Sequence, residues 1–395
     1  MKYIFSLLLS FCFCFTFAQE TSEVYAKNND ENDQKVIEFG TALMNSFYDN
    51  DSTFFLDNFH TESFVAKVMQ KDDETMKEDT LSAFDKSFMK GFLSKFKIFP
   101  ENINKSIQNG TMYNIVNYYY HLDEKKYHLL FRMYSDEEGL NYHDYQLNYI
   151  DGDFKLQDMY VYTTGEYFSD TLGNIYRLSI PPEDSTDTEA NRAQLKSLFF
   201  MTRYQSLINN EQFEKAFKLI NNLEGSFREK KIYYIMKIQV ASQINEVYHM
   251  EAIDELLKKF PDDPTTKLMG IDYFVMLKDY NATMQILDDL RAATEDDFVE
   301  YIRGNTAWEF KDYEGAEKAY SYIAKEYPEF EGAKLNLLYL YDTLERHEDN
   351  IVLLNMMIDS EMYAKKDLID FIDNKENEFI HLPNAEIYNR WKEKK

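Results

Sequence analysis

Four side chains could carry chemistry if the strands that hold them pair as their turn dictates. His143 and Tyr145 precede Asp151-Gly152, and Asp158 and Tyr160 follow it; that dipeptide favours a tight two-residue hairpin. Pairing outward from the turn sets Tyr149 opposite Phe154 and Leu147 opposite Leu156, then Tyr145 opposite Asp158 and His143 opposite Tyr160. These residues share one sheet face, because side chains alternate along a strand. An apolar face that ends in a histidine, an aspartate and two tyrosines reads as a pocket mouth. Buried carboxylates need partners, and such groupings concentrate at functional sites. The chemistry implied is small-molecule binding or a hydrolysis using His143 and Asp158. The competing expectation is that this end of the sheet meets solvent, or that Asp158 is a satisfied structural acceptor.

The preceding hairpin offers less. Pairing Leu122 with Tyr127 across Asp123–Lys126 puts Val116/Met133, Tyr118/Phe131 and Tyr120/Leu129 on an apolar face. His121/His128 and Asn117/Arg132 then fall on the other face. Two histidines are short of the three or four ligands that a stable metal site takes. No Gly-rich phosphate loop, HExxH, paired-cysteine spacing or GxSxG elbow occurs in the chain. The expectation is therefore no metal, no cofactor and no enzyme.

The elements that must position these residues follow from periodicity. Asp33 to Tyr48 has helical spacing, with Val36, Phe39, Leu43 and Phe47 on one face. Thr80 to Lys97 repeats phenylalanine every fourth place (Phe84, Phe88, Phe92, Phe96), a core stripe. From residue 112 the period becomes two and the residues aromatic and β-branched, predicting four strands at 112–122, 127–135, 141–150 and 154–163. Helices followed by a curved antiparallel meander resemble the nuclear-transport-factor-2-like cone, through the order of elements alone. Ile180-Pro181-Pro182-Glu183-Asp184-Ser185 then marks a domain boundary.

Beyond it a spacing recurs. Phe310-Lys311-Asp312-Tyr313-Glu314-Gly315-Ala316 echoes Leu277-Lys278-Asp279-Tyr280-Asn281-Ala282-Thr283, 33 residues apart. Phe213, Val247, Tyr280, Tyr313 and His347 form a series with steps of 33 or 34, and Gly270 and Gly304 are 34 apart. Such self-similarity predicts stacked helix pairs, each too small to bury its own apolar face. A small residue eight places in, an aromatic and a small residue on the second helix, and a closing proline (Pro328, Pro261) resemble the tetratricopeptide repeat family. The resemblance spans Leu195 to Asp359, five helix pairs; Met250 and Asn350 depart from its small-residue position. It implies a binding scaffold. With Gly304 at the close-packing position, Tyr301, Asn305 and Trp308 are expected on the concave side, with Phe274 and Tyr339 in similar places nearby. Exposed aromatics in a groove make good peptide anchors.

The first eighteen residues read as a signal peptide: Lys2, an apolar run from Ile4 to Phe17, and small residues ahead of cleavage after Ala18. Cys12 and Cys14, the two cysteines, fall inside it, so the mature chain is expected to have no disulfide framework. A net charge of −27 disfavours nucleic acid and suits a basic partner. The expected organisation is a signal peptide (1–18), a flexible lead-in (19–30), an α+β domain (31–180), a linker (181–189), tetratricopeptide-like repeats (190–362) and capping helices (363–395). The α+β domain comprises helices plus a four-stranded antiparallel sheet; the remainder is an all-α helical-repeat superhelix. The expected role is a secreted or periplasmic adaptor whose concave face binds a protein or peptide. The alternatives are a small-molecule-binding or hydrolytic N-terminal domain with docking repeats, and a structural envelope component.

Overall fold

A computed structural model describes residues 25–394, except 72–80, 138, 181–187, 262 and 361. The expected signal peptide and most of the expected linker lie outside the described residues. The N-terminal region carries α1 (Asp30–Tyr48), α2 (Thr53–Asn58), α3 (Thr61–Met69), α4 (Ala83–Phe96) and α5 (Ile98–Gln108). Then come β1 (Met112–His121), β2 (Lys126–Ser135), β3 (Gly139–Ile150), β4 (Asp153–Val161), the short β5 (Glu166–Tyr167) and α6 (Phe168–Ser179).

Local chemistry explains the helix starts. Asn29 caps α1, whose first turn is acidic, and Val36, Leu43 and Phe47 are buried on its inner face. Ser82 and Asp85 form a reciprocal capping box at α4. Phe96 is buried, and Phe84, Phe88 and Phe92 pack half-buried against the same core. Part of the expected lead-in packs on the sheet: Ala26 is buried, and the Tyr120 hydroxyl donates to its carbonyl at 3.1 Å.

The sheet is an antiparallel meander ordered β1-β2-β3-β4-β5, one strand more than expected. Its registers depart from the expected ones at two bulges. In the first hairpin, His121 pairs with Lys126 and Lys125 turns through a left-handed φ of 54°. A bulge at Val116 shifts the pairing again, so Met133 faces Tyr113 rather than Val116, and Arg132 faces Asn114 rather than Asn117. In the second hairpin, Tyr149/Phe154 and Leu147/Leu156 pair, and a bulge at Gln157 displaces everything beyond.

Both sheet faces are buried. One face, with Leu129, Phe131, Tyr145, Leu156 and Met159, forms a core with α1 to α6. The other presents Leu130, Tyr134, Leu140, Tyr142 and Tyr162 to the C-terminal helices. An antiparallel sheet covered on both sides loses its polar alternation.

The helices after the boundary are α7 (Thr188–Asn209), α8 (Phe213–Asn221), α9 (Lys231–Ser242), α10 (Glu246–Lys259), α11 (Pro264–Met276), α12 (Tyr280–Thr294), α13 (Val299–Glu309), α14 (Tyr313–Glu326), α15 (Glu331–Thr343) and α16 (His347–Asp359). Consecutive helices pack on one another. Helices α8, α12, α14 and α16 begin two residues after a left-handed Glu211, Lys278, Lys311 or Glu345, with φ between 53° and 62°. A Cβ on Gly304 would come within 2.5 Å of the Tyr320 ring, and one on Gly270 within 2.5 Å of Ile286 Cδ1. Helices α17 (Lys365–Asp373) and α18 (Glu386–Glu393) follow, with Tyr388 and Trp391 buried.

Candidate functional site

The bulge at Gln157 divides the four residues expected to form a pocket. Asp158 lies opposite Gln146 and Tyr160 opposite Asp144, one place out of the expected register. A one-residue slip moves a side chain to the opposite face. His143 and Tyr145 remain on the apolar face, toward the helices of the N-terminal region. The Tyr113 hydroxyl is 2.9 Å from His143 Nδ1 and 2.7 Å from the Tyr145 hydroxyl. Burial lowers the His143 pKa to about 4, so the ring is neutral near pH 7. Asp158 is fully buried and accepts from Ser169 Oγ (2.6 Å), the Ser169 amide (3.1 Å), the Met159 amide (2.9 Å) and Lys67 Nζ (3.2 Å). With four donors on it, it serves as a strut joining β4 to α3 and α6. Tyr160 packs beside Tyr162 and Tyr167.

A charged network lies on the sheet face opposite His143 and Tyr145. His128 Nδ1 is 3.0 Å from Asp144 and its Nε2 3.2 Å from Glu124, while the Tyr119 hydroxyl donates to Asp144. Burial alone would lower the His128 pKa, but hydrogen bonds to Asp144 and Glu124 outweigh it and raise the value to about 9. The hydrogen bond from His128 holds Glu124 down to about 2. The His121 and His128 rings sit 5.9 Å apart, as diagonal rather than opposite neighbours. Among the described residues, no group of three or more His, Cys, Asp or Glu is placed to hold a metal ion.

The expected concave groove is partly filled by the chain itself. The β2–β3 hairpin enters it, and Tyr134 packs against Phe298, Tyr301 and Phe330 with ring centroids 5.1–6.0 Å apart. Tyr301 is thus 4% exposed, a member of the core between sheet and helices rather than an exposed anchor. Buried polar contacts secure the hairpin's seat: Arg132 Nη1 donates to Asp296 Oδ1 at 2.6 Å, and the Tyr142 hydroxyl to Oδ2 at 2.8 Å. In the expected register Arg132 falls on the face opposite the apolar one, paired with Asn117. Leu130, Tyr134, Leu140 and Tyr142, all on that face, were the signal that it needed a cover.

Three of the five expected groove residues remain together. Asn305, Trp308 and Tyr339 line a cavity of about 360 Å³ with Tyr320 and Asn336. Asn305 Oδ1 accepts from the Tyr320 hydroxyl (2.9 Å) and from Asn336 Nδ2 (3.1 Å), which fixes the floor. Tyr339 is stacked on Phe379 at 4.4 Å. Phe274 stands apart, edge-on to Tyr273. A second cavity of about 460 Å³ lies against the β2–β3 hairpin, lined by Asp136, Leu140, His249, Asp272, Asn305 and Glu309 among others. Burial raises the pKa of Asp272, opposed by the charge of His249.

Comparison with known proteins adds little. No family model matches the chain, and no curated protein matches it. The solved structure titled "MamA AMB-1 P212121" aligns with 44% of this chain and 96% of its own, at 11% identity and a TM-score of 0.33. A likeness at that level carries no argument about fold or function. No helix among the described residues is long and apolar enough to cross a membrane.

Proposed function

We propose that this chain is an exported, non-catalytic adaptor that holds a protein or peptide partner on a tetratricopeptide-like superhelix. One observation carries the reading. Asn305, Trp308, Asn336 and Tyr339, on the first helices of two successive pairs, gather around a cavity that the β2–β3 hairpin leaves open. A preformed amide-and-aromatic surface suits peptide recognition, because amides bond the main chain while rings bury side chains at little entropic cost. The chain's charge of −27 favours basic partners and salt-sensitive association. Export rests on the Lys2–Ala18 leader and on the absence of cysteine after residue 18.

The test is affinity capture from native envelope extract with the full chain and its Trp308→Ala/Tyr339→Ala variant. Loss of a partner by a variant that melts like the parent supports the assignment; equal capture by both removes it from this face.

A second reading, small-molecule binding by the N-terminal region, has a different location from the one the sequence favoured. Phe88, Phe92, Phe96, Phe99, Phe168 and Leu172 line an apolar cavity of about 520 Å³ beside Lys95. A ligand there would raise the melting temperature, since it binds only the folded state.

A further inference from the structure

We propose that the cleft running along the β1 edge, away from Trp308 and Tyr339, binds an extended lysine- or arginine-bearing peptide by bracketing one of its backbone amides. This cleft has a volume of about 1320 Å³. Among the described residues, β1 is an edge of the sheet with no neighbouring strand on its outer side. Residues Met112 to Tyr118 lie along the cleft, with α1 on one side. On the other side are the α12–α13 connection at Glu295–Asp297 and the α14–α15 connection at Tyr327–Phe330.

Two polar atoms buried beneath the cleft floor lack partners. Asn114 and Arg132 are directly opposed across β1 and β2, and both line the cleft. The Arg132 side chain is 3% exposed, with Nη1 committed to Asp296 and its plane 4.1 Å from the Phe298 ring centroid. Its Nε is buried without an acceptor, and Asn114 Oδ1 is buried without a donor. Leaving such groups unpaired costs stability, so a ligand that pairs them gains that energy on binding. An unpaired donor and an unpaired acceptor on facing residues match a peptide unit: once the side chains covering them part, its carbonyl would accept from Arg132 Nε while its N–H donates to Asn114 Oδ1.

Charge selects the rest of the occupant. Asp136, Glu295, Asp297, Glu326, Glu329 and Glu331 line the cleft; Asp297 is ion-paired with Arg291 and Glu326 with Lys325, and Arg132, the one cationic lining residue among those described, is neutralised by Asp296. Cationic side chains flanking the bracketed amide would meet these carboxylates. The recognition is local rather than a continuous ladder. The Tyr113 amide already donates to the Tyr48 hydroxyl at 3.2 Å, and the Tyr118 amide to Asn117 Oδ1 at 2.8 Å.

The test is fluorescence anisotropy with the full chain and a fluorescein-labelled peptide of alternating lysine and valine. The controls are a glutamate–valine peptide and a lysine–valine peptide methylated on its backbone nitrogens. The lysine–valine peptide binds and the glutamate–valine peptide does not. Backbone methylation weakens binding about fivefold to tenfold, and Asn114→Leu does the same, as loss of one hydrogen bond implies. The exposed pair Glu326→Lys/Glu329→Lys weakens it further. Three outcomes overturn the proposal: no binding of the lysine–valine peptide, equal affinity for its methylated form, or indifference to the charge reversals. Methylation is read on the unaltered protein, so an unfolded variant cannot mimic that result. Failure of this site leaves the Trp308 face standing, because that face is scored by a different variant.

Discussion

Arg132 of the sheet and Asp296 of the helical region, 164 residues apart in sequence, meet in a 2.6 Å ion pair that is almost wholly shielded from solvent. Asp296 also accepts from Tyr142 and from the Phe298 amide at 3.1 Å, so three donors hold its carboxylate. This pair joins the N-terminal sheet to the helices and thereby decides which part of the concave face stays open. Removing one partner strands a buried charge. We expect Asp296→Ala to lower unfolding stability by ~3–5 kcal/mol. Arg132→Met/Asp296→Leu should cost markedly less than either single change, and urea unfolding of the full cycle checks both.

Gly304 and Gly270 make a graded pair. An added methyl at Gly304 meets the rigid edge of Tyr320, which is fixed by its hydrogen bond to Asn305. At Gly270 it meets the terminal methyl of Ile286, which can rotate aside. Gly304→Ala should cost ~1–3 kcal/mol and Gly270→Ala visibly less, by thermal denaturation.

The two buried histidines give stability opposite dependences on pH. The His128 pKa is raised from 6.5 to about 9, so its contribution is complete below pH 6.5 and disappears as pH rises toward 9. The His143 pKa is lowered from 6.5 to about 4, so the folded state resists its protonation and stability falls as pH drops from 6.5 toward 4. Stability should peak near pH 6.5, with each limb on the order of 2–3 kcal/mol. His128→Gln should flatten the alkaline limb alone, and melting temperature across the pH series reads this out.

Asp158 offers a check on its structural role. Asp158→Ala leaves Lys67 and Ser169 without their shared acceptor, and should cost ~2–4 kcal/mol while leaving peptide binding at the β1 cleft unchanged. A loss of binding out of proportion to the loss of stability would return Asp158 to a functional role.

Part of this was legible beforehand. The Asp151-Gly152 turn set the pairing of Tyr149 with Phe154 and Leu147 with Leu156, because a two-residue hairpin leaves no freedom near the turn. The series Phe213, Tyr280, Tyr313 and His347 falls on the first residues of α8, α12, α14 and α16. Helices α2, α3, α5 and α6 were not anticipated; α2 and α3 are short. The site residues were half legible. Asn305, Trp308 and Tyr339 share a cavity, whereas Tyr301 is sealed under Tyr134 and the His143–Asp158 group is divided between two faces.

The sequence by itself determined the local units: an antiparallel meander with tight turns, and helix pairs repeating every 33 or 34 residues. Both follow from short-range patterning of apolar side chains and turn residues. Only the tertiary structure decided the two bulges, at Val116 and Gln157, and the seating of the β2–β3 hairpin on the helices. Each bulge inverts the faces of everything beyond it, and no residue type announces where the extra residue falls. The hairpin's seat depends on a buried charge finding its partner 164 residues away. Periodicity within either region contains no trace of that distance.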